Sequence, residues 1–507
     1  MPVLRIHILV LLTIIFFEGI SINAAPGRPN ILFAISDDQS FPHASIYGAR
    51  YIKTPAFDRI AQEGVLFNQA FCPAPGCSPS RASILTGRNI WQNREAGTHA
   101  SNFPSDLKVF TQALEKEAGY RVGYTGKAWG PGNFSITGWN QNPVGKGYNQ
   151  HKMDSPSGIS GNDYARNFEA FLEGQDDSKP FFFWFGGYEP HRVYENGAGQ
   201  KAGKSIGDVD VPSFLPDHPV IRNDLLDYAV EIEWFDSHLG RMLETLEQRG
   251  ELDNTLIVVT ADNGMPFPRA KANLYEFGIH APLAIRWGSE IRGGRSVDDL
   301  VSFIDFAPTF LEVAGITPWK EITGKSLVTM LKSDRSGVLE HDRRWVLSGR
   351  ERHTHARPNN LGYPARAVRT HRYLYIRNFN PDLWPAGNEF HDIDACPSKS
   401  LLVDHKDEPA IEPYFDAAVG KRPAEELFDI LTDPGCMRNL AGAPEYQKHR
   451  KDMANLLTRE LRRQKDPRVL NGGQVFDSYP RYSSMRPHLG GFAERGQYNP
   501  AFAEDEK

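Results

Sequence analysis

The chain is poor in cysteine: four in 507 residues. That excludes a disulfide framework of the kind that holds small secreted domains together. It has no surplus of positive charge either, with 57 Lys and Arg against 63 Asp and Glu and a formal net charge of −6. A nucleic-acid partner, which needs a basic face, is therefore excluded, although an anionic small substrate is not, because only the local field of a site matters there. After the first two dozen residues no apolar run is long enough to cross a bilayer, which excludes stable membrane insertion. N-glycosylation signals are equally scarce, with one sequon at Asn133-Phe134-Ser135. There is no internal repeat.

What is present is an ordinary globular composition, 40% hydrophobic and 24% charged, in a chain longer than one small core usually fills. Residues 1–25 read as a signal peptide: Arg5, the apolar run Ile8 to Phe17, then Ala24-Ala25. The chain is accordingly expected to be exported. From about 30 to 340, apolar strand-like runs alternate with amphipathic helices, which argues for an α/β fold with a large, mostly parallel sheet sandwiched by helices. Helices are expected at Thr54–Gly64, Asp106–Ala118 and, as the longest, Asp224–Arg249, with an exposed loop over 197–218. Beyond about 340, short runs at Trp345-Val346-Leu347, Ala367-Val368-Arg369, Tyr373–Ile376 and Glu426–Asp429 and a helix from Pro444 suggest a smaller α+β subdomain. The expected organisation is a catalytic domain over 26–340, a subdomain contributing to the substrate pocket over 341–465, and a tail over 466–507 that wraps the surface or is partly disordered.

Chemistry concentrates in Cys77-Ser78-Pro79-Ser80-Arg81-Ala82-Ser83-Ile84-Leu85-Thr86-Gly87-Arg88. Ser78 is placed as a helix N-cap, Pro79 as the first helical residue and Gly87 as the stop. Cys77 then stands just before a helix N-terminus, where partial positive charge favours a thiolate or a bound anion, with Arg81 in reach. Two strand-like runs end in acids: Ile31–Ser36 in Asp37-Asp38, and Thr255–Thr260 in Asp262-Asn263. Carboxylates at strand ends sit where open α/β sheets place their sites. Four oxygen donors without thiolate or imidazole suit a hard cation, Ca²⁺ before Mg²⁺, and zinc least. Lys127, after a strand ending at Gly126, and Lys271, before Leu274-Tyr275, add positive charge. An aromatic strand then delivers Glu189-Pro190-His191 into a loop.

The Cys-x-Pro-Ser-Arg…Leu-Thr-Gly-Arg run resembles the signature of the formylglycine-dependent (type I) sulfatases of the alkaline-phosphatase-like superfamily. Within that family, Thr260–Pro268, Asn273-Leu274-Tyr275 and Glu189-Pro190-His191-Arg192 look most like the heparan N-sulfatases (sulfamidases). The resemblance implies that Cys77 is converted to 3-oxoalanine (formylglycine) by a formylglycine-generating enzyme. It also implies that Asp37, Asp38, Asp262, Asn263 and residue 77 hold Ca²⁺. Arg81, Lys127 and Lys271 would contact the formylglycine or the sulfate oxygens, and His191 would serve the leaving group as proton donor. The implied substrate is a sulfated glycan, through either N-desulfation of glucosamine or O-desulfation of another polysaccharide. The implied compartment is periplasmic or secreted, or lysosomal in a eukaryote.

Two departures from the pattern stand out. The family usually reads Gly-Lys-x-His, where the histidine helps to expel sulfate, but this chain reads Gly126-Lys127-Ala128-Trp129. Sulfamidases carry arginine where Lys271 stands, and the two cations are not equivalent in gripping an oxyanion. Substrate contacts are expected from Arg350, Glu351, Arg352, His353 and His355, a loop dense in charge. Asn360 and Trp384, the latter as a stacking platform, are further candidates. A phosphoester or phosphonate hydrolase of the same superfamily and a non-catalytic sulfated-glycan binder remain the alternative readings. Cys396–Cys436 is the cysteine pair to test first.

Overall fold

The computed structural model describes residues 28–173, 179–490 and 494–499; the expected signal peptide lies outside them. Among the described residues no helix is long and apolar enough to cross a membrane.

The core is an eight-stranded sheet. Its strands are β1 (Asn30–Ser36), β2 (Val65–Phe67), β3 (Arg121–Gly126), β4 (Lys146–Gly147), β5 (Phe181–Gly186), β6 (Thr255–Ala261), β7 (Leu283–Trp287) and β8 (Arg295–Val297). The order across the sheet is β4-β3-β5-β1-β6-β7-β2-β8. Only β7 runs against the others, pairing antiparallel with both β6 and β2. The expected mostly parallel sheet is what forms.

β1 is buried along its whole length and its side chains alternate between two cores. Ile31, Phe33 and Ile35 pack on one face with Leu85, Phe110 and Phe310. Leu32 and Ala34 pack on the other with Ile60, Phe168 and Leu239. This period of two, apolar on both faces, is why β1 reads as a continuous hydrophobic run and sits centrally. The helices begin and end somewhat differently from expectation. The longest runs from Pro219 to Gln248, because His218 caps it by accepting from the Val220 amide. The helix expected from Asp106 starts only at Phe110. The 197–218 segment holds short helices at Ala198–Lys201 and Ile206–Asp208.

A second, antiparallel sheet follows, of β9 (Val346–Arg350), β10 (Ala365–Arg369), β11 (Tyr373–Asn378) and β12 (Glu425–Asp429), in that order. The helix Gln447–Arg463 covers it, setting Met453, Leu457 and Leu461 against Val368, Tyr375 and Leu427. The tail then returns to the first unit, where the Tyr482 amide donates to the Ala100 carbonyl at 2.7 Å. All four cysteines are free and buried, so the Cys396–Cys436 pairing does not form. Cys396 instead caps the helix Pro397–Asp404 through its sulfur.

Candidate active site

Four parallel strands deliver their C-terminal ends to one edge of the sheet. β1 pairs with β6 as far as Ser36 opposite Ala261, so Asp37-Asp38 and Asp262-Asn263 emerge side by side. β5 brings Glu189 and His191 beside them, with the Asp37 amide donating to the Glu189 carbonyl. β3 ends at Gly126, after which the Lys127 amide donates to the Gly186 carbonyl at 2.7 Å. The sheet thus places these residues through backbone pairing, before any side-chain contact is made.

The Cys77 helix borders the site. It spans Cys77–Thr86, with Gly76 as N-cap and Gly87 left-handed at its C-terminal end, φ 67°. Cys77 is therefore the first helical residue. Ser78 is not the cap; its hydroxyl accepts from the Ala100 amide. The helix N-terminus does not yield a thiolate: burial pushes the Cys77 thiol up, against the pull of Lys127. A neutral, 2% exposed thiol at the cavity wall is a poor nucleophile as it stands.

The cations and carboxylates interlock. Lys127 Nζ meets Asp37 Oδ2 at 2.5 Å and Lys271 Nζ meets Asp38 Oδ2 at 2.6 Å. Arg81 Nε donates to Asp262 Oδ2 at 2.7 Å and its Nη1 to the Lys127 carbonyl. Burial alone would raise Asp37, but Lys127 holds it below the usual carboxylate range. Burial and the neighbouring Asp37 push Asp262 the other way. Both lysines stay above their ordinary value despite burial, held there by Asp37 and Asp38 respectively.

Asp37, Asp38 and Asp262 each offer a carboxylate oxygen within 4.8 Å of the others. Asp37 Oδ1 and Asn263 Oδ1 are buried without a hydrogen-bond partner. Unsatisfied buried oxygens beside clustered carboxylates are a donor set that could hold a hard cation.

A cavity of about 800 Å³ opens over this edge. Asp37, Cys77, Lys127, His191 and Lys271 line it. Arg81 does not; fully buried, it stands behind the carboxylates and braces them. His191 Nε2 lies 3.7 Å from Asp38 Oδ2, and its Nδ1 is 2.6 Å from the Arg192 carbonyl oxygen.

The expected substrate loop is corrected by the structure. Of its five residues only His353 lines the large cavity. Arg350 is spent on Asp392 at 2.8 Å. Glu351 is enclosed by Arg366 and Arg468. Arg352 donates to the carbonyls of Tyr479 and Pro480, and His355 Nδ1 accepts from the Arg486 amide. A run that looks exposed because it is charged is buried because every charge finds a partner. Asn360 is buried, while Trp384 is exposed, away from the cavity, with Lys421 over its ring.

Three groups escaped the sequence reading. His99 Nε2 lies 3.3 Å from Cys77 Sγ. Asp394 pairs with Lys271 at 3.1 Å, and that lysine, with His191, holds its carboxyl far below the usual range against burial. Glu231 also lines the cavity, with its carboxyl pushed up to about 9 by burial and by Glu189. The signals were slight: a lone histidine in Gly97-Thr98-His99-Ala100, and the acid pair Asp392-Ile393-Asp394. Trp129, where the family pattern has histidine, is buried against Phe103 and donates Nε1 to the Ser78 carbonyl.

Comparison with known proteins places the chain in a family. The sulfatase family model matches residues 29–316, and the model of the C-terminal part of N-sulphoglucosamine sulphohydrolase matches 269–407. The chain is 29% identical to human N-sulphoglucosamine sulphohydrolase over 458 residues, covering 83% of this chain and 87% of that protein. It is 26% identical to an ulvan-active sulfatase of Formosa agariphila, covering 86% and 75%. A solved structure described as bound to its substrate, D-glucosamine-2-N,6-O-disulfate, superposes with a TM-score of 0.65 at 22% identity, covering 87% of this chain and 98% of that one. By its sequence match over residues 29–316 and to named sulfatases, the chain belongs to the sulfatase family and is a sulfatase enzyme.

Proposed function

We propose that this sulfatase is exported and removes sulfate from a terminal sulfated amino sugar of a glycan, with N-sulfoglucosamine as the favoured class. The observation that carries the reading is the convergence of Cys77, Lys127, Lys271 and the Asp37–Asp38–Asp262 cluster on a single cavity. The C-terminal match to N-sulphoglucosamine sulphohydrolase supports the amino-sugar assignment. The likeness to an ulvan-active sulfatase favours O-desulfation of an acidic polysaccharide as the second reading.

Asp37, Asp38, Asp262 and Asn263 would hold Ca²⁺, with the side chain of residue 77 beside them. The ion would supply Lewis-acid polarisation of a sulfate oxygen. Residue 77, oxidised to 3-oxoalanine, would supply an oxygen nucleophile in its hydrated form. Lys127 and Lys271 oppose the charge that builds on the sulfuryl oxygens, from positions fixed by Asp37 and by Asp38 with Asp394. His191 hands a proton from Nε2 to the departing nitrogen or oxygen. His99 Nε2, next to the side chain of residue 77, is the proton acceptor in place of the histidine that Trp129 displaces.

Incubation with N-sulfoglucosamine, with ulvan oligosaccharides and with a phosphate monoester tests the reading. Sulfate release from the first supports it. Release from ulvan alone transfers the assignment to the O-sulfatase reading, and phosphate release without sulfate release overturns both.

A further inference from the structure

Among the described residues, the buried arginines other than Arg481 each have a carboxylate or at least two oxygen acceptors, although some of their nitrogens stay unpaired. Arg350 and Arg357 share Asp392, Arg366 is held by Glu351 and Asp466, and Arg192 by Asp224. Arg269, Arg295, Arg352 and Arg422 lack a carboxylate partner, yet each donates to at least two carbonyl or carboxamide oxygens. None of those four lines the catalytic cavity.

Arg481 differs on both counts. It is 3% exposed and it lines the cavity, near Thr354 and Ser483. Among the described residues its one acceptor is the His353 carbonyl, reached through Nη1, while its Nε, like those of Arg269, Arg350 and Arg352, has no partner. No described carboxylate lies within ion-pair distance of it. Burial, with Arg352 nearby, lowers its pKa to about 9, which leaves it a cation at neutral pH. A desolvated guanidinium without a counter-ion is unfavourable unless a ligand supplies the charge.

Its position is fixed rather than adventitious. Arg352 clamps the preceding residues through the Tyr479 and Pro480 carbonyls, and the next amide, Tyr482, donates to Ala100. Arg481 and Ser483 are thus a built part of the cavity lining. The wall carries one positive charge that the residues placed on the reacting sulfate do not use.

We propose that Arg481 forms a second anion subsite, which binds an oxyanion of the substrate other than the sulfate being released. Two groups share the required chemistry: a second sulfate on the same sugar, or a carboxylate on an adjoining uronate. A charge-assisted, forked contact of this kind favours the doubly charged ligand by about tenfold or more. The inference rests on the sulfated-sugar reading above and narrows it to substrates carrying at least two negative groups.

The test measures binding by calorimetry to full-length protein carrying Cys77→Ala, so that turnover does not intervene. The probes are N-sulfoglucosamine, glucosamine 2-N,6-O-disulfate, and a disaccharide of N-sulfoglucosamine with a uronate. At least one dianionic probe is expected to bind about tenfold more tightly than the monoanionic one. Adding Arg481→Ala should abolish that advantage while leaving N-sulfoglucosamine within about twofold. Which probe shows the advantage identifies the second anion. Arg481→Lys, which keeps the charge, should retain part of it, and this separates lost charge from the lost His353 contact. Absence of any dianionic advantage, or an advantage that survives Arg481→Ala, overturns the subsite. Failure of wild-type enzyme to release sulfate from N-sulfoglucosamine is a different result and bears on the substrate reading instead.

Discussion

Cys77 Sγ and His99 Nε2 stand 3.3 Å apart, and both residues line the cavity. The imidazole arrives from the loop after the Cys77 helix, its ring 4.6 Å from that of His353. Burial and His353 both hold it well below its ordinary pKa, so its ring is neutral. His99→Ala is therefore expected to lower kcat by about a hundredfold, the usual worth of a positioned proton acceptor. The aldehyde content of residue 77, read by peptide mass, should be unchanged, because the substitution removes a proton acceptor and not the maturation signal. An unchanged kcat would assign the proton to another group.

Lys271 is held from two sides, by Asp38 at 2.6 Å and Asp394 at 3.1 Å. Removing the second contact with Asp394→Asn should lower kcat/KM about tenfold, or ~1.4 kcal/mol of transition-state stabilisation. Lys271→Ala should cost about a hundredfold or more, since it removes the charge itself. Steady-state kinetics on both variants checks the order of the two effects.

Chelation should destabilise the fold as well as the activity. Without a bound cation, Asp37 Oδ1 and Asn263 Oδ1 have no hydrogen-bond partner, and three carboxylates crowd one another. Thermal unfolding in EGTA is expected to shift down by several degrees and to be restored by Ca²⁺ at lower concentration than by Mg²⁺. Equal restoration by both ions would contradict the preference for Ca²⁺.

Glu231 gives a pH signature. Its carboxyl is raised to about 9 in the folded chain, by burial first, against 4.5 in the unfolded one. The unfolded state loses this proton first, so its contribution to stability falls as pH rises through that window. Glu231→Gln mimics the neutral acid and removes the slope. The variant should gain on wild type by on the order of 4 kcal/mol between about pH 5 and about pH 8 in denaturant titrations. A gap that does not change with pH would place Glu231 in its ionised form.

The sheet and the gathering of acids at its edge were legible because physics ties them to local pattern. An apolar run that ends in Asp37-Asp38 reads as a buried strand with its acids at the rim, and Asp262-Asn263 repeats the arrangement. Lys127 and Lys271 were legible for the same reason, each flanking a strand end or a tight turn. His99, Asp394, Glu231 and Arg481 were not, because they come from irregular segments or a distant helix whose positions depend on tertiary contacts. The 350–357 run was misread for a related cause. Its charge density looks like solvent exposure until Asp392, Arg366 and Arg468, distant in sequence, neutralise it. Ser78 was a plausible cap by type, but Gly76 takes the position and the helix begins one residue before Pro79's predecessor, at Cys77.

The central claim is that residue 77 acts as an aldehyde precursor and not as a thiol. Peptide mass analysis across residue 77, on protein from a host with the converting enzyme, tests it directly when paired with sulfate release from the same sample. The account predicts 3-oxoalanine at this position, with activity proportional to the converted fraction and lost in Cys77→Ala. A chain that retains the thiol in full and still releases sulfate would contradict it.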